Sequence, residues 1–307
     1  MTESSARHRT GLILLVSITL FWGVNWPAMK LSVNEVPVWA FRTLCLVVGG
    51  VGLLAICRAF GYSLRVPREE RQPLLIAAVG NITGWHIFSA LGVQHMAPGR
   101  ASILAFTMPL WAALIAALWA GEKLTGLTIA ALAIGAVGLG VLVVPDWANI
   151  VSRPAGPVFM ILAAISWAAG TVALKRYRFT IPTASLAGWQ MLIGGIPIFI
   201  GAALFDRGFV PGAVSTTAWI AVAYAAIIPM IYCHWAWFRV VSLYPAAVAA
   251  IGTLAIPVVG VISSAWIVGE RIGWSEIAAL ALVLAALSLV LVVPAIRNRG
   301  AQVPEPE

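Results

Sequence analysis

Charge is scarce in this chain of 307 residues: Lys and Arg number 19, Asp and Glu only 11, so 10% of residues are charged, against roughly 25% in an ordinary soluble domain. With 61% hydrophobic residues and a mean hydropathy of +0.97, too few polar groups remain to cover a water-soluble surface, which excludes a single soluble core. Cysteine is nearly absent. Cys45, Cys57 and Cys233 fall in apolar runs without CxxC or CxxH spacing, so neither a disulfide framework nor a zinc site is signalled. No HExxH, no GxSxG and no intramembrane Asp cluster occurs, which argues against a membrane enzyme, and no cofactor or metal is expected. The net charge of +8 comes from cations scattered in twos and threes rather than clustered on one face, so nucleic acid is not expected as a partner.

What is present is a succession of long apolar runs. Crossing about 30 Å of hydrocarbon as a helix takes roughly 20 apolar residues. Ten runs qualify: 12–31, 37–57, 74–92, 97–120, 126–144, 156–175, 183–204, 218–238, 245–268 and 274–294. Thirteen of the 19 cations fall at one set of run ends, including both termini. Lys30, Arg100, Arg153, Arg207 and Arg271 fall at the other, and Arg42 lies inside the second run. Loops rich in Lys and Arg stay cytoplasmic. The expectation is an all-α integral membrane protein of ten transmembrane helices in the cell (inner or plasma) membrane, with cytoplasmic N- and C-termini.

The chain also repeats. FWGVNWPAMK at 21–30 aligns with SWAAGTVALK at 166–175. APGRASILAFTMPLWAALIAALWAGEKL from Ala97 aligns with PAAVAAIGTLAIPVVGVISSAWIVGERI from Pro245, pairing Pro109 with Pro257 and Glu122 with Glu270. Two copies of five runs, 1–150 and 151–307, must enter the bilayer from opposite sides, because five is odd. The expected repeats are therefore inverted, related by a pseudo-two-fold axis in the membrane plane, an arrangement common in transporters.

A Trp-Gly-x-Asn element in the first run, Phe41-Arg42 in the second and a proline followed thirteen residues later by Glu, present twice, resemble the EamA branch of the drug/metabolite transporter superfamily. The resemblance covers the whole chain in two copies. It implies a ten-helix bundle whose spans one, three, four, six, eight and nine surround a central cavity, with export of amino acids or related metabolites as the common activity. The Trp- and Tyr-rich version here looks most like aromatic amino acid exporters.

Polar side chains inside spans are costly unless they face a cavity or a partner, so each is a candidate. Span one offers Trp22, Asn25 and Trp26, and span three offers Asn81, Trp85, His86 and Ser89. Phe106 on span four, Trp167 on span six, and Tyr224, Tyr232 and Trp235 on span eight complete the expected substrate-binding set. Pro109 and Pro257 read as hinges or packing kinks. Glu122 and Glu270 read as structural end-groups, and Arg42 as a structural cation that snorkels or pairs with helix-end carbonyls. No carboxylate lies mid-span, so a facilitator is expected rather than a proton- or sodium-coupled pump. The expected substrate is a small neutral or zwitterionic molecule with an aromatic or large apolar group. The rival readings are another transported class, a nucleotide-sugar or amphipathic cation, possible with proton coupling; phosphates would need paired cavity cations, and only Arg42 is on offer. The glycines of Gly80-x3-Gly84 and span five allow close helix packing without fixing an oligomeric state, and a monomer suffices.

Overall fold

A computed structural model describes residues 3–121, 124–144, 152–177, 179–243 and 254–289, together with Val293. Within them every regular element is helical. That follows from the solvent: in hydrocarbon each backbone N–H and C=O must be satisfied within its own segment, which a helix does. The helices are α1 (Glu3–Glu35), α2 (Val38–Ala59), α3 (Arg71–Ala78), α4 (Trp85–His95), α5 (Pro98–Ala105), α6 (Met108–Ala120), α7 (Gly126–Val143), α8 (Ala155–Arg176), α9 (Thr183–Phe205), α10 (Thr216–Ile227), α11 (His234–Leu243), α12 (Ile256–Val268) and α13 (Trp274–Leu287).

Among the described residues eight segments are long and apolar enough to cross a membrane: Thr10–Glu35, Val38–Ala59, Arg68–His95, Pro98–Trp119, Gly126–Val143, Ala155–Arg176, Thr183–Phe205 and Thr216–Trp237. The ninth and tenth runs of the sequence appear as the shorter apolar helices α12 and α13; residues 245–253 and most of 290–294 lie outside the described residues, as does Glu122. Large apolar side chains point outward along these helices, with Leu118 87% and Trp266 89% exposed. A lipid environment accepts that surface and water does not.

Among the described residues π-helical turns interrupt spans at Val79–Gly84, between α3 and α4, and at Ile228–Cys233, between α10 and α11. The second has an evident cause, since Pro229 lacks an N–H and its ring clashes with the preceding turn; the His234 ring nitrogen Nδ1 lies 2.8 Å from the Pro229 carbonyl. In the first, Ser166 Oγ on α8 donates to the Gly80 carbonyl at 2.9 Å. Span four is broken too. Phe106 and Thr107 form a turn between α5 and α6, where Thr107 Oγ1 donates back to the Leu104 carbonyl at 2.6 Å. Pro109 therefore stands at the start of α6, and Pro257 stands equally at the start of α12. A proline in the first turn forfeits no intrahelical hydrogen bond, so each proline begins a helix instead of kinking a continuous one. The αL glycines Gly121 (φ 68°) and Gly269 (φ 71°) end these two helices.

Packing runs chiefly between the two sequence copies: α2 lies on α9, α7 on α13, α4 on α8, and α1 on both α12 and α10. Carboxylates tie the same halves at helix ends. Glu35 accepts from the N–H and hydroxyl of Ser215, both at 2.7 Å, and Glu70 accepts from the N–H and hydroxyl of Thr180 at 2.8 and 2.5 Å. Asp206 Oδ2 accepts the Ala40 N–H in the first turn of α2 at 2.7 Å.

Candidate functional site

The indoles of spans one, three and six meet. Trp26, 4% exposed, stands edge-on to Trp85 with ring centroids 6.4 Å apart, and Trp85 meets Trp167 at 5.2 Å and 60°. One turn earlier on α1, Trp22 contacts span eight, at 5.7 Å edge-on to the His234 ring and 6.1 Å from Trp237. Tyr232 and Trp235 pack at 6.1 Å, and Phe21 meets Tyr232 at 5.7 Å. Edge-on and tilted pairs are the arrangements that ring quadrupoles prefer. Phe106, at the break in span four, packs against the same buried core as Trp26, Trp85 and Trp235.

Polar atoms near these rings fall into two kinds, engaged and open. Tyr232 Oη and Ser17 Oγ share a hydrogen bond of 2.7 Å, and the Tyr224 hydroxyl donates to the Phe21 carbonyl at 2.8 Å. Ser89 Oγ accepts from Arg42 Nη2 at 2.7 Å. These three candidates are spent in holding helices together. Asn25 Oδ1, Asn81 Oδ1 and His86 Nδ1, by contrast, are buried and have no hydrogen-bond partner among the described residues. The Asn81 amide nitrogen donates to Gln190 Oε1 at 3.3 Å, which leaves its oxygen facing away from that bond. Buried polar groups are nearly always paired, so three open ones on neighbouring spans mark places where a ligand or water completes the count.

Arg42 is buried on α2. Its Nε donates to the His86 carbonyl at 2.8 Å, and Nη2 lies 2.8 Å from Met29 Sδ as well as bonding Ser89. It neither snorkels nor reaches a helix-end carbonyl, as the sequence had suggested; it bonds a carbonyl in the first turn of α4, and so orients His86. Its contacts are structural in kind.

Charged groups gather at one end of the bundle. Lys30 Nζ donates to the carbonyls of Val93, Gln94 and Met96 at 2.8, 2.9 and 3.3 Å, covering the C-terminus of α4. Glu270 accepts the N–H groups of Gly99 and Arg100 at 2.8 and 3.3 Å, capping α5. Arg100 Nε bonds Glu276 Oε1 at 2.7 Å. A cation at a helix C-terminus and an anion at an N-terminus each complement the helix dipole. Glu270 thus joins the second sequence copy to the first. Burial pushes its carboxyl above the ordinary range, against the opposing pull of the Gly99 and Arg100 N–H groups.

Gln190 and Ser17 were overlooked in the sequence, though a polar residue within an apolar run is the very signal that singled out Asn81. Of the π turns, only the second carries a signal in the sequence, Pro229. Asn81 and Tyr232 each sit in one, and such turns recur at functional sites.

Comparison with known proteins agrees with this architecture. A solved crystal structure covering 96% of this chain and 99% of its own superposes with a TM-score of 0.65 at 20% identity, a likeness of fold. YvbV of Bacillus subtilis, described as an uncharacterized transporter, is 26% identical over 92% of this chain and 92% of its own. YedA of Escherichia coli K12, described as an uncharacterized inner membrane transporter, is 25% identical over 90% of this chain and 89% of its own. The family model of EamA-like transporters matches twice, at residues 9–144 and 154–292, so the chain belongs to the EamA-like transporter family.

Proposed function

We propose that this protein is a facilitative transporter of the cell membrane, exporting amino acids or related small metabolites with an aromatic or large apolar group, and not an enzyme. The observation that carries the reading is the Trp26–Trp85–Trp167 ring contact, with Asn25 Oδ1, Asn81 Oδ1 and His86 Nδ1 on the same spans one and three buried without a partner among the described residues. Rings supply apolar surface and stacking, and the open polar atoms orient a substrate's amine, hydroxyl or carboxyl. The site we assign comprises Trp22, Asn25, Trp26, Asn81, Trp85, His86 and Trp167.

The architecture that goes with it is ten spans in two inverted repeats with cytoplasmic termini. The double family match supports two copies. So does the packing, because exchanging each span for its counterpart turns α1 on α10 into α4 on α8, and leaves α2 on α9 and α7 on α13 unchanged. The Glu35–Ser215 and Glu70–Thr180 contacts exchange in the same way, with carboxylate and hydroxyl trading places. Broken helices near a central site are how such folds present polar groups at mid-depth, and the two halves rock about that site to alternate access.

The test is uptake by proteoliposomes of purified protein across a panel of neutral, aromatic, cationic and phosphorylated solutes. Saturable uptake of aromatic or large neutral amino acids, reduced by Trp85→Ala, is the expected result. Uptake confined to phosphorylated or permanently cationic solutes overturns the substrate assignment.

A further inference from the structure

A groove of about 520 Å³ lies between the start of α3 and α9, and none of its lining residues belongs to the ring site. Leu74, Leu75, Trp189 and Ile193 form its apolar wall, and Arg65 and Arg71 line it with them. Its volume falls in the range of roughly 300–1,000 Å³ usual for small-molecule sites. Each side of this lining has a reason in the sequence. Leu74 is buried in a small core of its own with Ile181 and Leu186, against which Trp189 and Ile193 pack. The Trp189 indole N–H donates to the Leu64 carbonyl at 2.8 Å, which holds the 60s loop against α9 and fixes the rim. Leu75, 49% exposed, faces outward where the acyl chains lie.

Both arginines are exposed, and neither side chain has a hydrogen bond or ion pair among the described residues. Of the two carboxylates beside them, Glu70 accepts the N–H and hydroxyl of Thr180 through Oε1 and is buried, and exposed Glu69 makes no ion pair with either arginine. Two unpaired guanidiniums beside an apolar groove at the end of a span form an amphipathic complement to one molecule class in particular. A negatively charged headgroup meets the cations while an acyl chain covers the groove. Basic pockets between membrane helices hold anionic lipid headgroups in this way.

We infer that this groove is a binding site for an anionic phospholipid of the surrounding bilayer, its phosphate held by Arg65 and Arg71 and one acyl chain seated on Leu75, Trp189 and Ile193. Since the same wall braces α9, which packs along α2, the bound lipid stiffens the junction between the two sequence copies. The site is independent of the substrate assignment and does not fail with it.

The experiment is native mass spectrometry of protein taken from nanodiscs of equal parts phosphatidylglycerol and phosphatidylcholine, with the wild type compared to R65Q/R71Q. Each basic residue near an anionic lipid contributes a factor of about five, so the pair is worth about thirtyfold in preference for phosphatidylglycerol. That preference is expected in the wild type and should vanish in the variant. If R65Q/R71Q does not accumulate in membranes, R65K/R71K keeps both charges and is expected to retain most of the preference. Equal retention of the two lipids by the wild type overturns the assignment, as does an undiminished preference in R65Q/R71Q. Displacement of the lipid by millimolar inorganic phosphate would also overturn it, because it identifies a free-anion site instead.

Discussion

Gly80 and Gly170 touch backbone to backbone: a Cβ added to Gly80 would lie 2.7 Å from both the Cα and the N of Gly170, and one added to Gly170 would lie 2.6 Å from the Asn81 N. Spans three and six cross at this point, and the closeness of their crossing is what lets Trp85 reach Trp167 and Ser166 reach the Gly80 carbonyl.

Gly170→Ala and Gly80→Ala are each expected to destabilise the folded protein by about 1–3 kcal/mol, since the Cβ at Gly80 would meet only backbone atoms, which cannot rotate aside, and the Cβ at Gly170 would meet the Asn81 N together with the buried Asn81 amide side chain. Gly140→Ala, where nothing lies within 4 Å of the added carbon, is expected to be neutral or slightly stabilising. Thermal unfolding in detergent compares the three. A Gly170→Ala protein as stable as the Gly140→Ala protein would show that the contact is not tight.

Trp85→Ala removes the ring that joins Trp26 to Trp167. Burying one aromatic side chain is worth about 1.5–3 kcal/mol, so the apparent KM for an aromatic substrate should rise roughly tenfold to a hundredfold. Trp274→Ala, at a position 69% exposed, serves as the comparison and should leave uptake unchanged. Equal effects of the two substitutions would detach the ring cluster from transport.

Coupling to protons requires a group that changes charge within the pathway; no Asp or Glu lies among the residues assigned to the site, and its one imidazole, His86, is bonded to no carboxylate among the described residues. Flux in proteoliposomes should therefore follow the substrate gradient alone, with the same initial rate when a protonophore collapses an imposed proton gradient. A several-fold fall in rate on adding the protonophore would reject facilitated transport.

Glu270 carries a pH dependence whose sign can be worked out. Its carboxyl is raised in the folded protein above the ordinary value of about 4.3, so the folded state holds the proton more tightly than the unfolded chain. Stability contributed by this group therefore grows as pH falls from the raised folded value toward the ordinary one, and fades as pH rises. The melting temperature of the wild type relative to Glu270→Gln should increase between neutral and mildly acidic pH. A difference that shrinks on acidification would mean that the charged form is the favoured one, with the Gly99 and Arg100 N–H groups outweighing burial.

Much of this protein was legible before any coordinates. Runs of about 20 apolar residues name lipid as the solvent, lipid demands helices, and the doubled Pro-to-Glu spacing marks two copies of one unit. Glu270 was readable as an end-group because a carboxylate flanked by cations at a membrane edge has few other uses, and it caps α5 accordingly. What composition and periodicity leave open is which polar groups are already taken. Ser89 shares span three with Asn81 and His86, and Tyr224 and Tyr232 stand on span eight, yet their hydroxyls are committed to Arg42, Phe21 and Ser17, partners 47, 203 and 215 positions away. Hydrogen bonding between helices is decided by distances of a few tenths of an ångström at their crossings, and those depend on small residues such as Gly80 and Gly170, whose partner along the chain no local pattern names. The π turns divide in the same way: Pro229 marks in the sequence the one that carries Tyr232, whereas the one that carries Asn81 depends on Ser166 of a neighbouring helix donating to the Gly80 carbonyl, a contact no local pattern names.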